Sequence, residues 1–175
     1  MQIIIISLSV FLIILCLSIC LSFSSLAPWV PCWSKDLKRI FKIANLKRGE
    51  IFYDLGCGNG KTVLYANKNF KATAIGIELA LPLFIVCKMR QLLNRDKNLT
   101  FKWKNLFKEY LSKADVIYFF GMPDSIKNKL KVKIEKEAHS GARIISYVFP
   151  VRGWMPELID KPSEKDLTIY LYKIN

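Results

Sequence analysis

Histidine occurs once in these 175 residues, as His139, and none of the five cysteines stands in a C-x-x-C pair. The pattern of ligands expected at a zinc site is therefore missing, and an odd number of thiols without paired spacing argues against a disulfide framework. Acidic residues are scarce, 14 against 27 Lys and Arg, which leaves a net charge of +13. Charge of either sign is absent from the first 34 residues. There is no internal repeat and no low-complexity tail, so solenoid and disordered architectures drop out.

What is present divides the chain in three. Residues 1–24 carry an apolar run, 3–23, interrupted only by Ser and Cys. As a helix it would extend about 32 Å at 1.5 Å per residue, enough to cross a bilayer. No Lys or Arg precedes it, as the n-region of a cleaved signal peptide would require. Positive charge follows it instead, in Lys35, Lys38, Arg39, Lys42, Lys47 and Arg48. By the positive-inside rule the C-terminal side faces the cytoplasm. Residues 25–48 form a linker, Pro28-Trp29-Val30-Pro31-Cys32-Trp33, and a basic segment. Its prolines stop a helix and its tryptophans suit a membrane interface. Leu37, Ile40, Phe41 and Ala44 then mark one face of a short amphipathic helix over 35–46, ahead of the domain proper. Its basic residues are expected to meet anionic lipid at roughly 1 kcal/mol each. Residues 49–175 are an α/β domain.

That domain opens on Ile51-Phe52-Tyr53-Asp54-Leu55, an apolar strand that runs into an acid. Gly56, Cys57, Gly58, Asn59 and Gly60 follow, and then a helix start. A second strand, 72–78, closes on Glu78. This is how an α/β domain grips a nucleoside-bearing cofactor. The glycines admit backbone close to the ligand, the helix N-terminus favours an anion, and the second acid takes ribose hydroxyls. Two related patterns fail. G-x-G-x-x-G meets Lys61 at its third glycine, and the P-loop pattern needs glycine at 55, which is Leu. D-x-G-x-G-x-G is satisfied at every position by Asp54, Gly56, Gly58 and Gly60.

Strands and helices alternate beyond it. Helices are expected over 61–68 and 82–94, and strands over 99–103 and 115–120. Segment 125–138 keeps helical spacing at Ile126, Leu130 and Ile134, while 129–134 alternates like a strand. Asp124 and Ser125 as caps and Gly141 as a stop favour the helix. A fifth strand over 142–149 and a hairpin of 154–160 with 167–174 complete the domain. Repeated strand–helix units predict a Rossmann-like α/β fold, mostly parallel, with an antiparallel hairpin at one edge. Ligands of such sheets bind beyond the carboxyl ends of the strands. Asp54, Glu78, Asn105 and Gly121-Met122-Pro123 all fall on that rim.

The glycine pattern with Glu78 resembles motif I of the class I S-adenosylmethionine (AdoMet) methyltransferases. A narrower resemblance covers most of the chain. An apolar N-terminal helix, Pro28-Trp29-Val30-Pro31, motif I, Phe120-Gly121-Met122-Pro123, Phe149-Pro150 and Gly153-Trp154 stand in one order. That order resembles the small membrane-anchored protein-lysine methyltransferases that, in mitochondria, modify the ATP synthase c-subunit and the adenine nucleotide translocase, a family with prokaryotic relatives. The resemblance implies AdoMet as cofactor and no metal. Asp54, Gly56, Cys57, Gly58 and Gly60 would hold its methionine part and Glu78 its ribose. Asn105, where the family usually has Asp, would meet the adenine amine.

The resemblance also implies a protein substrate, a lysine side chain of a membrane protein. Burial in an apolar pocket would hold that amine neutral. Phe120, Met122, Pro123 and Trp154, with Phe119 and Phe149, are the expected pocket. No general base stands out. Tyr118 and Glu157 are the candidates, His139 reads as a surface residue, and deprotonation is expected to pass through water. RNA methylation, lipid or small-molecule methylation at the membrane, and a non-enzymatic membrane adaptor are the rival readings. Against amino-methylation of nucleic acid, Gly121-Met122-Pro123-Asp124 lacks the Asn/Asp-Pro-Pro-aromatic close of such enzymes.

Overall fold

The structure, a computed structural model, describes residues 2, 4–7, 9, 10, 13, 26, 27 and 30–175. Most of the apolar run expected to cross a membrane, 3–23, lies outside the described residues. Among the described residues no helix is long and apolar enough to cross a membrane. Residues 4–7, 9 and 10 are helical, and the Ser9 hydroxyl donates to the Ile5 carbonyl at 2.9 Å. Ile4, Ile5, Ile6, Val10 and Ile13 are all exposed.

From residue 30 the chain forms one seven-stranded sheet. Its strands are β1 (Ile51–Leu55), β2 (Thr73–Glu78), β3 (Leu99–Trp103), β4 (Val116–Phe120), β5 (Arg143–Tyr147), β6 (Leu158–Asp160) and β7 (Ile169–Lys173). They lie in the order β3-β2-β1-β4-β5-β7-β6. The first five are parallel, and β7 pairs antiparallel with β5 and with the edge strand β6. The expected fold class and hairpin are both present. Strand five ends at Tyr147, short of the expected 149, because Val148 has φ +78, which breaks extended pairing.

Four helices cover the sheet: α1 (Ser34–Ala44), α2 (Lys61–Phe70), α3 (Leu81–Asn94) and α4. The last runs as Pro123–Ser125, a π-helical turn Ile126–Leu130, and Lys131–Glu137. The ambiguous segment is thus helical, with Ile126, Leu130 and Ile134 wholly buried. Side chains alternate across the pleat. Phe52, Val116, Tyr118, Ile145 and Tyr147 join the core under α1 and α2, while Tyr53, Leu55, Ile117, Phe119 and Ile144 join the core under α4.

Helix α1 is packed onto the sheet. Leu37, Ile40, Phe41 and Ala44, the expected apolar face, are buried in the first core. Asp36, fully buried, accepts from the Tyr147 hydroxyl at 2.6 Å and from Arg39 at 2.8 Å, and Arg39 also pairs with Asp160. Arg143 caps the helix by donating to the carbonyls of Ala44 and Asn45. Of the basic residues expected to meet lipid, Arg39 is turned into the protein, and Lys35, exposed, forms a surface ion pair with Asp166 at 2.7 Å. Lys38, Lys42, Lys47 and Arg48 are exposed.

Candidate functional site

The turn after β1 is pinned to the neighbouring strand. The N–H groups of Gly56 and Cys57 both donate to the Ile77 carbonyl at 2.9 Å, and Gly60 N–H donates to Cys57 O at 2.8 Å. Two of the glycines are required by geometry. Gly56 has φ +91 and faces open space, so backbone is presented outward where a ligand approaches. Gly60 has φ +75 at the N-cap of α2, and a Cβ there would lie 2.6 Å from Cε1 of Phe101. Any side chain at Gly60 would therefore collide with the Phe101 ring.

Glu78, at the end of β2, is almost wholly buried. Its Oε2 accepts from Gly58 N–H at 2.8 Å, and its Oε1 accepts from Leu79 N–H at 2.9 Å and Ala80 N–H at 2.7 Å. A carboxylate has about four acceptor positions, so one remains on Oε2. Burial still holds its pKa above the ordinary carboxylate value, against the three N–H donors. The carboxylate thus ties the glycine turn to the β2–α3 corner and keeps capacity for a hydroxyl.

Asp54 is 2% exposed, and its Oδ2 accepts from the Thr62 hydroxyl. Burial pushes its pKa up to about 7, with the Glu78 charge adding to the rise and the Thr62 bond opposing it. Asp54 pairs in register with Tyr118 across β1 and β4, so both side chains point to one face. That face opens into a narrow cleft. Asp54, Gly56, Cys57, Asn59 and Thr62 line one wall, and Tyr118 and Phe120 line the other. Tyr118 is hydrogen-bonded to Cys32, and burial lifts the pKa values of both, that of Cys32 to about 12. Both groups stay neutral at physiological pH.

Val30, Pro31 and Cys32 complete the cleft. Lys61 Nζ holds this strap by donating to Cys32 O at 3.0 Å and to Ser34 Oγ at 2.7 Å. Further back, Leu26 lies against Gly121, where a Cβ would come within 2.9 Å of Leu26 Cγ, and Met122 N–H donates to Leu26 O at 3.1 Å. The linker therefore belongs to the site. Sequence reasoning read Pro31 only as a helix breaker and gave Thr62 no role. The signal available was that Pro31 and Cys32 directly precede a helix with a single buried face.

The expected pocket residues part company. Phe120 lines the cleft, and its ring lies 6.1 Å from that of Phe149. Met122 is exposed on the rim and Pro123 opens α4. Phe119 points to the opposite core. Trp154 is not brought to the cleft. Its Nε1 donates to Glu135 at 2.8 Å, its ring meets Tyr172 edge-on at 5.5 Å, and it lines a separate hollow of about 420 Å³. Asn105 sits beyond β3, where its Oδ1 caps a short turn by accepting from Phe107 N–H at 2.9 Å. Two residues before it, Trp103 stacks on Phe84. His139 lies beside Asp115, at the start of β4 and thus on the opposite rim, and Glu157 is exposed on the approach to β6. Among the described residues no group of His, Cys, Asp or Glu is arranged to hold a metal ion.

The strand order, the glycine turn and the paired acids at the ends of β1 and β2 define a Rossmann-like methyltransferase fold. The chain belongs to the family of the ANTKMT methyltransferase domain, whose model matches residues 54–158. A protein-lysine N-methyltransferase of Saccharolobus islandicus is 33% identical over 84% of this chain and 93% of its own length. The human ATP synthase c-subunit lysine N-methyltransferase is 31% identical over 74% of this chain, and the match spans 55% of its length. In three dimensions, an RNA methyltransferase from Salinibacter ruber, solved with S-adenosyl-L-homocysteine, superposes with a TM-score of 0.77 at 25% identity. That superposition covers 83% of this chain and 94% of the other.

Proposed function

We propose that this chain is a membrane-anchored, AdoMet-dependent protein-lysine N-methyltransferase whose catalytic domain lies on the cytoplasmic side. One observation carries the reading: Asp54 and Glu78 are buried at the ends of adjacent strands, around a glycine turn that no side chain fills, beside an aromatic wall. The residues fit the cofactor. Asp54 and the open backbone at Gly56 suit its methionine ammonium and carboxylate, the free acceptor position on Glu78 suits a ribose hydroxyl, and the Asn105 amide suits adenine. When bound, AdoMet supplies an electrophilic methyl group on a sulfonium. The chain's own task is then alignment.

Phe120 and Tyr118 receive the acceptor. An amine with a pKa near 10.4 is neutral in fewer than about one molecule in a thousand at pH 7. An apolar wall raises that fraction by disfavouring the ammonium. Tyr118, neutral and bonded to Cys32, orients the amine through its oxygen and takes no proton. The proton leaves through water at the open mouth of the cleft.

The names of the relatives from Saccharolobus islandicus and human support lysine as the acceptor. The apolar run with charge only on its C-terminal side, and the exposed isoleucines of its described part, support the anchor. The fold match to an RNA methyltransferase favours a second reading, methylation of RNA, which the net charge of +13 also suits. Membranes from a strain lacking this protein, incubated with purified enzyme and labelled AdoMet, separate the two. Label on a lysine of one proteolipid-sized band supports the first. Label confined to RNA or to lipid overturns it.

A further inference from the structure

Helix α3 turns an apolar face outward. Ile85 is 43% exposed, Val86 38%, Met89 59%, Leu92 70% and Leu93 83%. At about 100° per residue these five fall within a stripe roughly 120° wide. The opposite side of the helix is fixed to the protein. Cys87 is fully buried, and its thiol donates to Gly58 O at 3.1 Å.

Basic residues flank the stripe. Lys88 and Arg90 lie about 100° to either side of its centre. No Asp or Glu occurs from residue 79 to 95. Trp103, half exposed, stacks on Phe84 at the first turn of the same helix. An apolar stripe with cations on both borders, no acid and an adjoining tryptophan matches a helix lying in a lipid interface. A groove on a partner protein would take the apolar stripe equally well. The double basic border, in a chain of net charge +13, complements an anionic surface specifically.

We infer that the outer face of α3 seats on an anionic lipid surface. The inference deepens the membrane part of the proposed function, and it rests on residues outside the anchor. It also has a geometric consequence. Cys87 and the Ala80 N–H couple α3 to Gly58 and Glu78. A seated α3 therefore fixes the cleft relative to the plane of the membrane.

The test is hydroxyl-radical footprinting of the full chain on vesicles of neutral phosphatidylcholine and on vesicles that also contain phosphatidylglycerol, with attachment checked by flotation. Two exposed methionines serve as probe and control. Met89 lies on α3, whereas Met155, 92% exposed, precedes β6 at the far edge of the sheet. On anionic vesicles Met89 oxidation is expected to fall severalfold while Met155 stays reactive. In the variant K88E/R90E the ratio of seated to free α3, read from Met89, is expected to drop by about 25-fold, at about fivefold per lost basic contact. Its thermal midpoint should change little, because both side chains are only half-buried and the one bond lost is that of Lys88 Nζ to Gln91 Oε1. Flotation with Met89 equally reactive on both vesicles overturns the inference and leaves the anchor standing. Failure to float overturns both. Met89 protection without lipid, or joint protection of Met155, overturns the inference in favour of a second copy or of aggregation.

Discussion

The two walls of the cleft are built differently. The wall proposed for the cofactor comes from one continuous stretch, residues 54–78: a strand end, a glycine turn, a helix N-terminus and the end of the next strand. Its polar groups are joined through backbone, with Glu78 accepting from Gly58, Leu79 and Ala80. The acceptor wall is assembled from residues far apart in the chain, Val30 to Cys32, Tyr118, Phe120 and Phe149, and rests on packing and a few side-chain bonds. A wall made from one local motif carries an invariable chemistry. A wall gathered from distant segments can be reshaped piecewise, which suits it to choosing an acceptor.

The sharpest way to break this contrast is Gly60→Ala. The left-handed backbone costs about 1–2 kcal/mol and the approach to Phe101 about 1–3 kcal/mol more. A denaturation midpoint close to that of the parent would show the turn to be more forgiving than its geometry requires. Glu78→Gln comes next. It replaces charge-assisted bonds worth about 1.5–3 kcal/mol, so AdoMet affinity measured by calorimetry should fall about 10- to 100-fold.

The Asp54 carboxyl, with its pKa raised to about 7, should make AdoMet affinity pH-dependent. Pairing with the ligand's ammonium requires the ionised form, so affinity should fall about tenfold per pH unit below that value and level off above it. Fold stability runs the other way. A carboxyl whose native pKa lies above its unfolded one stabilises the fold most below the unfolded value, and that contribution is lost as pH rises through about 7. Asp54→Asn should flatten both curves, as titration calorimetry and thermal melts across pH would record.

Smaller effects are expected on the other wall. Tyr118→Phe should lower the transfer rate by less than about tenfold with AdoMet affinity unchanged. A loss of about 10²–10⁴ would instead mark Tyr118 as the general base. Trp154→Phe keeps the ring against Tyr172 and removes only the bond to Glu135, so rate assays should agree with the parent within about twofold. A collapse in rate would bring Trp154 back into the acceptor site and erase the distinction between the walls.

Much of this was legible in the order of residues alone. Asp54, the three glycines and Glu78 could be placed together because their positions depend on spacing within a strand–turn–helix unit. The parallel sheet could be read from alternating units. The acceptor wall was legible only in part. Phe120 was named, but Trp154 was grouped with it because both stand near strand ends and prolines. Their separation depends on which face of the sheet each enters. Thr62, Lys61 and the strap at Val30 to Cys32 were not assigned to the site, since each acts through a partner distant in sequence or through a turn whose course is set by packing.

Two helices make the same point. Both α1 and α3 have apolar stripes at helical spacing. In α1 the stripe is buried, because Asp36 meets Tyr147 and Arg39 reaches Asp160. In α3 the outward stripe stays exposed among the described residues. The glycine turn, its two acids and the order of strands and helices are written in the order of residues, because they follow from local φ/ψ freedom, capping and side-chain periodicity. Which apolar face is covered, where the linker lies and which aromatics share the cleft emerge with the folded packing, because burial depends on what distant parts of the chain bring into contact.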